Sequence, residues 1–307
     1  MSMRYPAGFI SAFYNPLQNP DAPTIGTATG GSGSISVAFT APANVGGSAI
    51  TSYVATAKRT SDGVLFTASG ASSPISVTGL TEVAFTATVI AVNSYGPSAS
   101  SAASNSVTPL PAIGGAFGGG FFAGQISTAG NSIADYNLVV GPVASAESSS
   151  KQYKNANTAT ANANSDIDGP QNTADIVADG NSTVYPAGHF CNDLVIGGFS
   201  DWYMPAKNEL EVCYYNLKPT TTANQPYGIN PNAVPARASN YTSGTPAQTS
   251  AVDFQSTGAE DFAANYYWSS TKNGTTYARC QNFSDGLQAV YLKNTSFRVR
   301  AIRRVAV

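Results

Sequence analysis

The chain has 307 residues, a formal net charge of -2 and a pI near 5.3, and only 10% of its residues are charged, against roughly 25% in ordinary soluble proteins. That balance excludes the basic footprint with which a protein grips nucleic-acid phosphates. No apolar run approaches the ~18 residues of a membrane-spanning helix, so neither nucleic-acid binding nor membrane insertion is expected.

Residues 1–21 are rich in aromatics and proline. They lack the apolar stretch of a secretory leader and are too short for a core. Tyr5, Phe9, Phe13 and Tyr14 read instead as an anchor on a partner subunit. Residues 22–109 read as an antiparallel β domain. The segment 34–39 (SISVAF) alternates polar and apolar, the period of a half-buried strand. Segments 53–59, 64–68, 74–77 and 85–92 follow at similar spacing. Turns are expected at Gly46-Gly47, Asp62-Gly63 and Tyr95-Gly96-Pro97. The glycines of 26–33 precede a strand rather than a helix, so this stretch reads as a turn and not a phosphate loop. Residues 110–120 read as a flexible glycine-rich linker, with Ile113 and Phe117 apolar enough to be partly buried.

Residues 121–307 read as one domain. Strands are expected at 121–126 and 136–140, and a polar surface loop or short helix at 148–165. Short helices are expected at 172–178 and 187–194. A clearer helix starts near Pro205, a favoured first-turn residue. Its apolar positions Leu210, Cys213, Tyr214 and Leu217 have helical spacing, Glu209 and Glu211 lie in its early turns, and Lys218-Pro219 closes it. Residues 219–265 form an insertion long enough to suggest a functional or interface role. Strands return at 277–283, 288–292 and 297–302.

Two family resemblances follow from these residues. The order Pro23, Ala41-Pro42, Gly47, Ile50, Tyr53, Leu80-Thr81, Phe85, Val89, Ala91, Asn93 and Gly96 resembles a fibronectin type III domain. Phe39 stands there in place of the usual strand-B Trp, and Phe85 in place of the corner Tyr. The blocks 197–210 (GGFSDWYMPAKNEL), 266–271 (YYWSST), 281–286 (QNFSDG) and 296–304 (SFRVRAIRR) resemble the Lcl C-terminal domain family, which has a C-type-lectin-like fold. The fold class expected is therefore mainly β: a fibronectin type III (Ig-like) β-sandwich plus an α+β C-type-lectin-like domain.

Chemistry finds little support in the residues. His189 is the only histidine and has no Cys or carboxylate at ligand spacing. No G-x-S-x-G is present. Cys191, Cys213 and Cys280 fall in no C-x-x-C and read as small buried residues, although a Cys191–Cys213 bridge stays possible. Calcium-dependent lectins resemble one another in Glu-Pro-Asn or Gln-Pro-Asp. Gln225-Pro226-Tyr227 departs at the third residue and loses an oxygen ligand. The 202–209 block also resembles formylglycine-generating enzymes, but their C-terminal cysteine pair is missing, with Cys280 alone there. No cofactor, metal or catalytic residue is expected. Arg298, Arg300, Arg303 and Arg304 read as partnered arginines of a terminal strand.

A binding face is the better-supported idea. Tyr266, Tyr277, Arg279, Gln288, Tyr291 and Asn294 are the candidate ligand-binding residues, because aromatics and adaptable polar groups suit recognition. Alternation along 277–283 places Tyr277, Arg279, Gln281 and Phe283 on one side of a strand. Relative to its family, the chain has Arg279 where Trp is common and Cys280 where Arg is common, which suits a variable surface. The resemblances imply a phage virion protein, exposed on the particle exterior. It is anchored to other virion proteins by its N-terminal segment, forms a homotrimer, and binds a host-surface glycan or protein without chemistry. A structural virion protein and a bacterial surface adhesin are the alternatives.

Overall fold

The computed structural model describes residues 17–307, so Tyr5, Phe9, Phe13 and Tyr14 lie outside the described residues. The chain is mainly β and divides between Pro111 and Ala112 into two compact units.

In the first unit, β1 (Thr24–Gly31), β2 (Ser34–Thr40) and β5 (Ile75–Thr78) form one sheet in the order β1-β2-β5. The other contains β3 (Ser52–Arg59), β4 (Leu65–Gly70), β6 (Phe85–Asn93) and β7 (Gly96–Pro97), in the order β4-β3-β6-β7. Alternate residues of β2, β3 and β6 are buried. Ile35 and Val37 thus meet Tyr53, Ala55, Phe85, Ala87 and Val89 in a single core. This is the fibronectin-type sandwich. Phe39 packs 4.7 Å from Tyr53, and Phe85, fully buried, meets Phe66 edge-on at 5.8 Å. Both departures from the family pattern are therefore filled by apolar packing.

One expectation is corrected here. Residues 26–33, read as a turn, lie mostly within β1. A Cβ on Gly26 would sit 3.0 Å from the Ala38 carbonyl oxygen, and the register slips between Ile25 and Ala28. Glycine here serves close strand approach and a bulge rather than chain reversal. The Gly46-Gly47 turn is present, with φ of +74° and +77°. A Cβ on Gly46 would fall 2.0 Å from the Gln18 carbonyl oxygen, so only glycine admits the chain there.

The stretch after β7 is irregular yet ordered by serines. The amides of Ser98, Ser101 and Ser104 donate to the carbonyls of Ala91, Val89 and Ala87 at 2.8–2.9 Å. Their hydroxyls accept from the amides of the same three alanine and valine residues at 2.9–3.0 Å. A three-residue period on one side meets a two-residue period on the other, and each side chain supplies the acceptor that a strand carbonyl would have been.

The second unit has two sheets. One holds β8 (Ala116–Phe117), β9 (Gly120–Ile126), β10 (Tyr136–Val140), β12 (Ala233–Val234) and β17 (Ile302–Ala306), in the order β12-β9-β10-β17 with β8 on β9. The other holds β11 (Glu147–Gln152), β13 (Tyr266–Asn273), β14 (Tyr277–Asn282), β15 (Gln288–Leu292) and β16 (Ser296–Arg300), in the order β11-β16-β13-β14-β15. The helices are α1 (Val143–Ala146), α2 (Gly169–Asp179), α3 (Pro186–Asn192) and α4 (Lys207–Leu217). Pairing of β10 with β17 brings the two ends of the unit together. The chain passes from one sheet to the other at Ala301, whose backbone bonds Gly141 and Ala146. The glycine-rich stretch 110–120 is not a free linker throughout: its second half forms the β8–β9 turn at Gly118 and Gly119, both with positive φ.

Residues 148–165 also differ from expectation. The first part is β11, and Tyr153, Lys154, Thr160 and Ala163 are buried. Three lysines hold the rest. Lys293 Nζ donates to Thr275 O at 2.7 Å and to Thr158 O and Thr160 Oγ1 at 3.1 Å. Lys272 Nζ donates to Thr160 O at 2.8 Å, and Lys154 Nζ to Ala159 O. Burial, with Lys154 and Lys272 adding repulsion, brings the Lys293 pKa down to about 8. A polar segment with little apolar content is thus pinned through its carbonyls.

Truncating Phe85 to Ala is expected to destabilise the first unit by about 3–5 kcal/mol through cavity formation, measured by urea denaturation. Lys293→Met should leave the Thr158 and Thr275 carbonyls short of a partner. It is expected to raise amide hydrogen exchange selectively across 154–165.

Candidate functional site

Strands β13, β14 and β15 carry five of the six candidate residues, and their register decides which belong together. Partner pairs share a face of the sheet. Tyr266 pairs Asn282, Trp268 pairs Cys280 and Tyr291 pairs Ala278; Tyr277 pairs Leu292, Arg279 pairs Val290 and Gln288 pairs Gln281. The candidates therefore divide. Tyr266 and Tyr291 lie on one face, 5.2 Å apart and each 5.0 Å from Phe297, above the buried Trp268. Tyr277, Arg279 and Gln288 lie on the other. Asn294 is exposed in the turn between β15 and β16, its amide bonded to Asn157 Oδ1. Within 277–283, Tyr277 is exposed and Arg279 half-buried, whereas Gln281 and Phe283 are buried.

The Arg279 and Gln288 face borders a cleft of about 500 Å³ between the start of α4, the 219–265 insertion and β15. Asp166, Lys207, Asn208, Tyr227, Ile229, Asn240 and Gln288 contribute to its lining. At its mouth Asp166 lies 3.5 Å from Lys207 Nζ and 3.6 Å from Arg279 Nε. These exposed pairs orient side chains more than they stabilise.

Two buried carboxylates hold the walls. Glu209 accepts from Ala206 N at 2.8 Å, Tyr203 Oη at 2.5 Å, Arg304 Nε at 2.8 Å and Gly169 N at 3.2 Å. Glu211 accepts from Asn230 Nδ2 at 2.6 Å, Tyr241 Oη at 2.6 Å and Arg237 Nε at 3.0 Å. The second set docks the insertion on α4. Gly228, with φ of +103°, lies against the Tyr241 ring, where a Cβ would come within 1.9 Å of the ring. That close approach sets Tyr227 beside the cleft.

Some buried polar atoms near this cleft have no partner among the described residues. Asn208 is 5% exposed; its Nδ2 donates to Asn232 Oδ1 at 2.8 Å, but among the described residues its Oδ1 has no partner. Asn232 Nδ2 in turn donates to Ser127 O, which fixes the orientation of both amides. Gln288 Nε2 and Gln281 Oε1, on cross-strand neighbours, are likewise buried without partners among the described residues. A buried polar atom left unpaired costs about 1–3 kcal/mol, and these atoms have essentially no surface open to the cleft. Sequence reasoning found Gln288, Arg279 and the insertion. It missed Asp166, Lys207, Asn208 and Tyr227; the length of the insertion gave a signal for Tyr227 alone.

The groups suited to chemistry are committed elsewhere. All three cysteines are free and buried, and desolvation pushes each thiol well up; no Cys191–Cys213 bridge forms. His189 Nε2 bonds Gly180 O at 2.7 Å. Among the described residues no group of three or more His, Cys, Asp or Glu side chains is placed to hold a metal ion, and no helix is long and apolar enough to cross a membrane. The four C-terminal arginines are partnered, Arg298 with Glu147, Arg300 with Glu260, Arg303 with Asp201 and Arg304 with Glu209.

The family model for the Lcl C-terminal domain matches residues 148–303, just over half of the chain and about four-fifths of this unit. The chain belongs to the Lcl C-terminal domain family. Membership suggests a surface or receptor-binding protein. No curated protein matches the chain. Among solved structures it is similar to the titin kinase with its flanking domains, at 24% identity and a TM-score of 0.27, covering 30% of this chain and 17% of that one. It is similar to the fourth FNIII domain of a human protein, at 24% identity and a TM-score of 0.28, covering 36% and 94%. The FN5 domain of Drosophila Lar matches at 26% identity and a TM-score of 0.25, covering 30% and 97%. The chain spans about a sixth of the titin kinase structure.

In this Lcl C-terminal domain, Glu211→Ala should leave Arg237 buried and unpaired and cost about 3–5 kcal/mol, read as a lowered denaturation midpoint. The folded protein is expected to resist a thiol reagent such as DTNB, and to react at all three cysteines once unfolded. Fast labelling of the folded chain would contradict the burial.

Proposed function

We propose that the protein is a phage virion component whose Lcl C-terminal domain, lectin-like in fold, binds a host-surface receptor or glycan without catalysis. The observation that carries the reading is the cleft beside β15, where the exposed ring of Tyr227 stands with the polar side chains of Asp166, Lys207, Asn240 and Gln288. Such a site holds a ligand through a few placed polar groups and an aromatic wall. The absence of chemistry is supported by the commitment of Glu209 and Glu211 to arginine and tyrosine partners and by the buried, protonated thiols. A fibronectin-type unit ahead of the binding domain suits a spacer, and a homotrimer would add avidity to weak single sites.

A second reading, a structural virion protein, is favoured by one observation. Val290 and Leu292 are exposed on the edge strand β15 beside Tyr277, a surface that a second copy could cover.

The test is binding of labelled full-length protein to candidate host bacteria, with and without EDTA, together with immunodetection in purified phage particles. Saturable binding that survives chelation, falls on Tyr227→Ala and accompanies a signal in the particles is the expected result. Detection in particles with no cell binding, even when the protein is clustered on beads, would favour the structural role. Absence from particles would remove the virion assignment.

A further inference from the structure

We infer that Asn273 is a self-modifying site: its side-chain amide converts spontaneously, through a cyclic imide with Gly274, to aspartate and isoaspartate, and the change loosens the segment 154–165. The inference is independent of the receptor-binding reading. Asn273-Gly274 is the one Asn-Gly pair in the chain. Every other asparagine is followed by a residue with a side chain, which crowds the approach of the next backbone nitrogen. Asn273 ends β13, and Gly274, Thr275 and Thr276 turn the chain into β14. Gly274 is exposed, with φ of +69°, and a Cβ there would meet open space. Among the described residues nothing bonds the Asn273 side-chain amide or accepts from the Gly274 N–H. Asn172, Asn224 and Asn230, by contrast, each have the amide nitrogen held by two or more acceptors. At Asn273 the attacking nitrogen and the amide it attacks are adjacent, uncommitted and open to water.

The carbonyls of this turn are all tied to Lys293. Its backbone amide donates to Thr276 O at 3.0 Å, and its Nζ to Thr275 O at 2.7 Å and Gly274 O at 3.5 Å. The same ammonium holds Thr158 O and Thr160 Oγ1 at 3.1 Å. Its charge favours the anion formed when Gly274 N gives up its proton to solvent. That nitrogen attacks Asn273 Cγ. The N–Cγ bond forms, the Cγ–Nδ2 bond breaks, and the Nδ2 group leaves as ammonia with a proton from water. A second water then opens the imide at either carbonyl. Breaking the new bond gives aspartate, and breaking the original peptide bond gives isoaspartate, whose main chain runs through Cβ and Cγ. One water is consumed and one ammonia released, with no change in oxidation state. Isoaspartate lengthens the main chain by one carbon, about 1.5 Å, and so shifts the carbonyls that Lys293 holds. Both products add a carboxylate to the turn, and a charged acceptor competes with Thr158 and Thr160 for the ammonium.

The experiment is to age the folded full-length protein at mildly alkaline pH, beside a urea-unfolded sample, and to map the peptides by mass. The peptide holding Asn273 is expected to gain the mass of an amide-to-acid exchange ahead of any other asparagine peptide, with isoaspartate the larger product. Asn273→Gln, which cannot close the five-membered ring, should abolish the gain. Gly274→Ala should slow it severalfold. The two variants act on opposite partners of the reaction, so a folding defect in one does not stand for both. Amide hydrogen exchange across 154–165 is expected to be severalfold faster in aged wild-type protein than in fresh, and unchanged by ageing in Asn273→Gln. Conversion in the unfolded sample but not in the folded one would show that the turn protects Asn273 and would overturn the inference. Earlier conversion at another asparagine would overturn the site. Full conversion at Asn273 with unaltered exchange across 154–165 would overturn the link to that segment.

Discussion

Two carboxylates buried on one short helix organise the second unit. An ionised carboxyl group taken out of water is tolerated only where charge and hydrogen bonds replace its hydration. Glu209 and Glu211 both sit fully buried on α4. Two residues apart on an α-helix, they project about 200° apart around its axis, so they gather partners from opposite sides. Glu209 takes the last strand through Arg304, the start of α2 through Gly169, and Tyr203 from the chain ahead of the helix. Glu211 takes Asn230, Arg237 and Tyr241 from the insertion. One helix thereby fixes both the closure of the domain and the loop that walls the cleft. Arg237 is further placed by its stack on Tyr215 at 4.1 Å. The insertion has almost no regular structure, and this polar clamp gives it a defined position.

The parts of the fold legible in the sequence are those with a period. The segments 34–39 and 85–92 alternate cleanly and became strands within a residue or so of their expected bounds. Leu210, Cys213, Tyr214 and Leu217 fall at helical spacing and all are buried. The stretches that escaped are polar and lack such a pattern. Residues 148–165 are held by lysine ammoniums donating to carbonyls, an arrangement that hydropathy does not register. The glycines of β1 looked like a turn because a bulge and a turn call for the same residue.

The candidate surface was legible residue by residue but not as a surface. Tyr266 and Tyr291 were grouped with Tyr277, Arg279 and Gln288, and only the register of β13, β14 and β15 shows that they occupy two faces. Periodicity gives sidedness within a strand; it does not say which side of one strand continues onto the next. The cleft escaped for a related reason. Asn208 lies on α4, Tyr227 in the insertion and Gln288 on β15, and long-range packing alone brings such residues together. The four arginines near the C-terminus were legible as a group. They were read as partnered arginines of a terminal strand, and each has a carboxylate partner, Glu147 serving both Arg298 and Arg300.

The serines that follow β7 bear on how the first unit coexists with copies of itself. A regular outer strand offers its free amides and carbonyls at the spacing another strand needs, and so templates sheet-to-sheet growth. Here the segment flanking β6 repeats every three residues, with Ser98, Ser101 and Ser104 turned inward. Its outward groups consequently do not recur at strand spacing. This border of the sandwich can be crowded against like units without being extended by them, a form of self-avoidance written in a run of serine and alanine that otherwise resembles filler.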